Sequence, residues 1–317
     1  MAYTSFSPSG FAETLSQIAA FLSSDMGWSA SYDSGAEQAT IVPKANEATF
    51  VLGYYYDDEY TGNWITCQVS KGGNVFTANV NMMPAVSKVW IFAGSTPEPW
   101  CHVVIRSAPG DYHHLYFGYL ERYGAWSCGA VADGTLWDSS YRYRESAFHV
   151  HNHMLFSGES YWAFSTAAEK MGGVLLEGVN VSKGIARFAR ATGSYSISSY
   201  PDDASAYAAA YGGFKDHANG GLVSQGTPLH NGITPMTPIL LTADFDLNGN
   251  RTPIGSPPGV RMVNITDYNP EDVVTFGADQ YQLFPLANKT RPLNLYDDLP
   301  TGVIGGSSWM GVAVKRV

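Results

Sequence analysis

Apolar positions in residues 9–25, SGFAETLSQIAAFLSSD, recur with helical spacing: Phe11, Leu15, Ile18 and Leu22 stand four, three and four residues apart. This spacing lines one face of a 3.6-residue helix and predicts an amphipathic helix with one stripe against a partner. Ser9 is placed as its N-cap, and Gly27 as the stop before Trp28 restarts the chain in extended form.

From Ala48 to Val150 the pattern changes to runs rich in β-branched and aromatic residues. ATFVLGYYY, NWITCQVS, VSKVWIFAG, CHVVIRS and YHHLYFGYL are separated by Gly, Pro, Asp and Asn. Asp57-Asp58-Glu59 and Pro109-Gly110-Asp111 are predicted turns, and CHVVIRSAPGDYHHLYFG a hairpin across SAPGD. In HHLYFGYL both sets of alternate positions carry bulk, which predicts a strand buried on both sides, with Gly118 allowing a close backbone approach.

The second half is less regular. Residues 160–171 and 201–212 (PDDASAYAAAYG) have helix-forming Ala content, with Pro201 suited to a first helical position. Residues 215–260 are Gly-, Pro- and Asn-rich and predicted as loop; VVTFG, QYQLFP and WMGVAVKRV return to strands. The expected fold class is α+β: mostly antiparallel β-sheet with an N-terminal amphipathic helix and a few short helices. The chain is expected as a single domain over 1–317, alternatively divided into a helix-plus-sheet core at 1–160 and a loop-rich part at 161–317.

Composition narrows the function classes. Charged residues make up 15%, aromatics 14%, and there are 33 glycines, a balance suited to a β-rich protein that buries polar-aromatic surface. The net charge is −10, with only 18 Lys and Arg and no basic cluster, which argues against sequence-specific nucleic-acid binding. A ring through which DNA merely passes tolerates an acidic wall. Cys67, Cys101 and Cys128 show no CxxC spacing and are expected as buried thiols in a reducing compartment. MAYTSFSPSG lacks the features of a signal peptide, and no apolar run reaches the ~18–20 residues of a membrane span, so synthesis in the cytoplasm and no membrane partner are expected.

Candidate chemistry is sparse. His149, His151 and His153 alternate in HVHNH and share one face of a strand, but the outer two stand roughly 13 Å apart. One metal ion does not reach all three, so a strand face at or near a subunit contact is the preferred reading. An assembly using that face would respond to pH near neutrality. Asp244, Asp246, Asn248 and Gly249 open a calcium-loop pattern, but its twelfth position is Gly255 rather than Glu, which leaves an Asx-rich turn. Cys101 and His102 are adjacent and, on a strand, point to opposite faces. GGNVF and YGGF lack the strand–loop–helix setting of phosphate loops, and Glu121 with Asp133 is a carboxylate pair by spacing alone. No catalytic, cofactor-binding or metal residue is assigned, no cofactor is expected, and the chain is not expected to be an enzyme.

Residues 88–130 carry a distinctive line: Trp90, Phe92, Ala93, His102, Val103, Val104, Gly110, Tyr112, His114, Phe117, Gly118, Leu120, Tyr123, Gly124, Trp126 and Gly129. This pattern resembles that of a family of tailed-bacteriophage virion structural proteins. The opening helix ending in Gly27-Trp28, and the close QYQLFP…MGVAVKRV, resemble the same family; residues 170–260 are not covered by it. The resemblance implies a virion subunit of the tail or neck, made in the host cytoplasm, that joins or completes the tail as a homo-oligomeric ring, a hexamer being favoured. Its implied partners are tail tube, sheath, connector or baseplate proteins. The alternative within that class is baseplate or tail-fibre attachment with threefold symmetry, where the alternate histidines meet on an axis. The alternative of another class is a cell-wall- or polysaccharide-degrading tail enzyme with a Tyr- and Trp-lined groove, against which stands the missing carboxylate motif.

Overall fold

The β-branched and aromatic runs form long antiparallel strands, and these strands organise the molecule. The computed structural model describes residues 1–57, 62–72, 74–83, 85–124, 127–134, 173–177, 185–188, 197–198, 207–208, 210–211, 236–239, 241–244, 251–285 and 310–316. An N-terminal sheet is a meander of β2 (Ser29–Asp33), β3 (Gln38–Val42), β4 (Thr49–Asp57), β5 (Gly62–Lys71) and β6 (Asn74–Met83). A central sheet has the order β1-β7-β8-β9-β11-β12-β13. Its strands are β1 (Ala2–Phe6), β7 (Lys88–Gly94), β8 (Trp100–Ala108), β9 (Asp111–Tyr119), β11 (Ser127–Gly134), β12 (Gly173–Glu177) and β13 (Ile185–Phe188). A C-terminal sheet runs β17 (Met236–Pro238), β20 (Val260–Asn264), β23 (Met310–Lys315), β22 (Asp279–Pro285), β21 (Val273–Phe276). Smaller pairings join β10 (Glu121–Arg122), β19 (Arg251–Ser256), β18 (Leu241–Asp244) and β16 (Ala210–Tyr211), and β14 (Ile197–Ser198) with β15 (Tyr207–Ala208).

The expectation of α+β is corrected. Among the described residues the only helix is α1 (Phe11–Ser24), and all strand pairings are antiparallel, so the fold is a multi-sheet β architecture with one helix. The segment 201–212 was expected to be helical; its described residues pair as β15 and β16 instead. Ala favours a helix only weakly, and this segment lacks the large apolar stripe that tertiary packing needs to hold one. Residues 160–171 lie outside the described residues. Part of the loop expected at 215–260 is also strand, as β17, β18 and β19.

Alternation along the central sheet assigns its two faces. Val89, Ile91 and Ala93, then Cys101, Val103 and Ile105, then Leu115, Phe117 and Tyr119, join one core with α1 and the inner face of the N-terminal sheet. That sheet supplies Ala39, Ile41, Phe50, Leu52, Ile65, Cys67 and Val69, all fully buried. The other set, Trp90, Phe92, Trp100, His102, Val104, Tyr112, His114 and Tyr116, is buried as well, under the C-terminal sheet. The two-sided burial expected of HHLYFGYL is present over the length of β9. Contacts between the central and C-terminal sheets join residues on either side of position 160.

Helix α1 buries Leu15, Ile18 and Leu22 of the expected stripe, with Thr14, Ala19 and Phe21 added. Each fully buried Leu or Ile contributes about 1.5–3 kcal/mol. Phe11 stacks on Tyr54 at 5.6 Å between ring centroids. Ser9 is not the N-cap: Gly10 holds that position, and the Ser9 N–H and hydroxyl both donate to Glu13 Oε2 at 2.7 Å. Those bonds hold the Glu13 carboxyl below its ordinary value. The C-terminal signal is as expected: Gly27 takes φ 66°, and the Trp28 N–H returns to the Leu22 carbonyl at 3.0 Å.

The SAPGD hairpin is present, with Ala108 opposite Asp111 and a bulge between Arg106 and Ala108. Gly118 has φ 138°, and a Cβ there would lie 2.5 Å from the Pro99 carbonyl oxygen and 2.6 Å from Trp100 Cα. Backbone meets backbone at this point, so no side chain can swing away to make room. Gly118→Ala is expected to cost roughly 2–4 kcal/mol of stability. Urea unfolding checks this: an unchanged midpoint would show that the approach is not tight.

Candidate functional site

Of the distinctive line, Trp90, Phe92, His102, Val104, Tyr112 and His114 share the face of β7, β8 and β9 that meets the C-terminal sheet, whereas Ala93, Val103 and Phe117 join the core with the N-terminal sheet. Phe284 of β22 enters this face and touches four rings. It lies 5.2 Å from Trp90 and 5.9 Å from Phe92, edge to face in both cases, then 5.9 Å from Tyr112 and 6.4 Å from His114. Trp100 lies in a slot that only glycine leaves open. A Cβ at Gly94 would come within 2.4 Å of its indole, and one at Gly259 within 2.0 Å.

Two histidines cross this interface in series. His102 Nε2 and His114 Nδ1 are 3.0 Å apart, and His114 Nε2 is 2.8 Å from the Pro285 carbonyl oxygen. A carbonyl only accepts, so His114 Nε2 carries a proton and donates. In neutral His114 the Nδ1 is then the acceptor, and His102 Nε2 must be the donor. Direction is therefore fixed along the chain, from His102 to His114 to Pro285. Tyr116 adds a parallel bond, donating to the Pro258 carbonyl at 3.3 Å. Burial, reinforced by the neighbouring His114, holds the His102 imidazole well below its ordinary value, so it stays neutral.

At the rim, Glu271 gathers donors from three adjacent strands. Its Oε1 accepts from Arg106 Nη1 and Tyr112 Oη at 2.9 Å each, and its Oε2 stands 3.5 Å from Lys88 Nζ. Its backbone is at φ 73°, held by its N–H donating to the Leu283 carbonyl at 2.7 Å and by Gln282 Nε2 donating to its own carbonyl at 3.2 Å. Lys88 and Arg106 also cover the Trp90 ring, at 4.6 and 5.6 Å from its centroid. Tyr112 is pushed up to about 12, first by burial and then by its bond to Glu271, so its hydroxyl remains a donor.

This arrangement fastens one sheet to another. A serine, a histidine and an aspartate do meet at the β8–β9 turn, where Ser107 Oγ donates to Asp111 Oδ2. His113 Nε2 lies 3.2 Å from Ser107 Oγ and 3.4 Å from Asp111 Oδ2. In a hydrolase the carboxylate orients the opposite ring nitrogen and leaves the serine to the histidine. Here the carboxylate accepts the serine hydroxyl's hydrogen bond directly, so the trio ties the two strands of the hairpin together.

Cys101 and His102 are both fully buried and point to opposite faces, as their adjacency predicts. None of the three cysteines is in a disulfide, and burial pushes the Cys67 and Cys101 thiols up, with Cys67 adding to the effect on Cys101. Glu121 is exposed on β10, whereas Asp133 is fully buried on β11 opposite Tyr116. In GGNVF, Asn74, Val75 and Phe76 open a strand, β6, and not a helix. Among the described residues no group of three His, Cys, Asp or Glu is placed to hold a metal ion. His149, His151 and His153, residues 245–250 of the calcium-like stretch, and Gly212-Gly213 of YGGF lie outside the described residues. No helix among the described residues is long and apolar enough to cross a membrane. No protein-family profile matches the chain, and no curated protein is significantly similar to it.

Glu271 and the carbonyls of Pro258 and Pro285 were not singled out from the sequence. Glu271 and Pro258 sit in Pro-containing stretches with no local periodicity, Pro285 ends the predicted strand QYQLFP, and the role of each depends on strands more than 140 residues away.

Two outcomes are expected. The unfolded chain binds a proton at His102 near pH 6.5, whereas the folded chain does not, so stability falls as pH drops below about 6.5. The slope from this group is up to about 1.4 kcal/mol per pH unit. His102→Gln should remove that slope in urea titrations run between pH 7.5 and 5; an unaltered slope would assign it to other groups. In a double-mutant cycle, Glu271→Gln and Tyr112→Phe should couple by about 1 kcal/mol, a modest value because the ion pairs are partly exposed. Strict additivity would mean that the bond contributes nothing.

Proposed function

We propose that this chain is a structural subunit of a tailed-bacteriophage virion, of the tail or neck, that acts by assembly rather than catalysis. One observation carries the reading. The residues through which the chain resembles that family fall largely on β7, β8 and β9, and their side chains are spent on burial between two other sheets. A motif used in this way specifies a rigid scaffold. The expected assembly is a homo-oligomeric ring, favoured as a hexamer, joining or completing the tail beside tube, sheath or connector proteins. Rings of this kind close through heterologous contacts between copies. The low charge and abundant Tyr and Trp suit surfaces that become buried in such contacts.

Light scattering on the purified chain should give six times the 34.3 kDa chain mass, and threefold mass would favour the baseplate or fibre alternative. Mass spectrometry of purified particles of the encoding virus should find the chain in stoichiometric amounts. Its absence from those particles would overturn the reading.

A further inference from the structure

The C-terminal sheet is a layer of its own. Its five strands pair only with one another. The nearest backbone tie to the central sheet is the short pairing of β10 with β19, where Glu121 stands opposite Ser256 and Arg122 opposite Gly255. The core shared by α1, the N-terminal sheet and the near face of the central sheet includes none of the C-terminal sheet's described residues. On its outer side the C-terminal sheet has a small cluster of its own, Val263, Ile265, Tyr281, Leu283 and Ala313. Its docking therefore rests on side chains: Phe284 among its rings, the Glu271 contacts, Tyr116 on Pro258, and the two histidines. A layer held in this way can open locally while both sheets keep their ladders.

The histidine link is the part of this interface that a proton changes. His114 uses both ring nitrogens, Nδ1 towards His102 at 3.0 Å and Nε2 towards the Pro285 carbonyl at 2.8 Å. A second proton on His114 has only Nδ1 to go to, where it sets one N–H against another. A second proton on His102 goes to its Nδ1 and makes a cation in a fully buried site beside the His114 and Tyr116 rings.

Few charges face the pair. Among the described residues the one acid buried on this face is Asp133, in the cross-strand row of His102 and Tyr116 but two strands from His102, roughly 10 Å. At the rim Glu271 is already paired with Lys88 and Arg106. Tyr112 and Tyr116 stay neutral, pushed up by burial. From β22 come Phe284 and Gln282, neither of them charged. Cys101 and His113 lie on the opposite face of the sheet.

We propose that the histidine pair is an acid-operated latch: proton uptake releases the C-terminal sheet from β7, β8 and β9 while the core on the other face stays closed. Once released, the imidazoles titrate at their ordinary value. Opening is therefore suppressed above about pH 6.5 and grows as the pH falls below it. The latch does not depend on the assembly role.

Hydroxyl-radical footprinting of the full chain at pH 7.5 and 5 tests this, because the two cores carry separate reporters. Trp90, Trp100 and Phe284 are fully buried at the interface, and Trp28 and Phe50 are buried in the other core. Labelling of the first three should rise in acid, by up to about tenfold per pH unit for each proton taken up. Labelling of Trp28 and Phe50 should not change. The double variant His102→Gln with His114→Gln should abolish the rise, since each glutamine offers a donor and an acceptor but takes up no proton. Where that variant is unfolded at pH 7.5, His102→Gln alone, which leaves the His114 bond to Pro285 in place, carries the same test. Asp133→Asn should leave the rise intact. Equal labelling at both pH values, an equal rise in both cores, a rise that survives the glutamine substitutions, or one that Asp133→Asn removes would each overturn the proposal.

Discussion

Burial on both faces is the constraint from which the rest of this structure follows. In β7, β8 and β9 nearly every residue is shut away from water, so alternate positions serve two different cores. A sheet in that position has no side on which to leave a polar group unbonded, because a buried unmade hydrogen bond costs more than a made one contributes. Three of the polar rings on the C-terminal side are handled in one manner. His114 and Tyr116 reach the carbonyls of Pro285 and Pro258, and His102 reaches its carbonyl through His114. The bonds that satisfy the central sheet are thus the bonds that attach the C-terminal one.

The same constraint sets where bulk and its absence must alternate. Trp100 occupies space that would belong to side chains at positions 94 and 259, and β9 presses on the Pro99–Trp100 backbone at Gly118. Large rings in a two-sided core require neighbours with none. The Glu271 cluster sits where this dry interface reaches the rim. There a carboxylate with three donors holds a turn at positive φ against the end of the sheet. Partial exposure limits what those ion pairs contribute to stability. Their geometric effect is to fix the register of one sheet on the other.

Much of this was legible along the chain, and the boundary of legibility has a physical cause. Periodicity reports how a segment divides its faces. It therefore yielded the stripe of α1, the β8–β9 hairpin and the double burial of β9. It does not report which distant segment supplies the opposing surface. Nothing local marks Phe284 as the side chain that enters among Trp90, Phe92 and Tyr112, or the first strand as the partner of β7. Ser9 failed as a cap for a smaller reason of the same kind: Glu13 folds back to bind it, and the cap position moves to Gly10. The Ala-rich stretch failed because intrinsic preference is weaker than strand pairing offered by β14 and β18. The polar cluster at the β8–β9 turn joins Ser107, Asp111 and His113, which by alternation share the face of Ile105 and Leu115, but alternation does not say that they bond to one another.

The region that carries the strongest sequence signal is thus the region least available to a partner. Trp90, His102, His114 and Gly118 are recognisable because two-sided burial restricts what those positions accept, and that restriction says nothing of where the molecule docks. Recognition has to use side chains the fold has not already consumed, and such surfaces carry weak sequence signals because many residues satisfy the fold there. On the N-terminal sheet Ala39, Ile41, Phe50, Leu52, Ile65, Cys67 and Val69 are fully buried apolar residues of the inner face, while Gln38, Thr40, Thr66, Gln68 and a stacked Tyr55–Trp64 pair stand on the outer one. The fold requires the first set. It only tolerates the second, so the chemistry of that outer set is where selection for a partner has room to act.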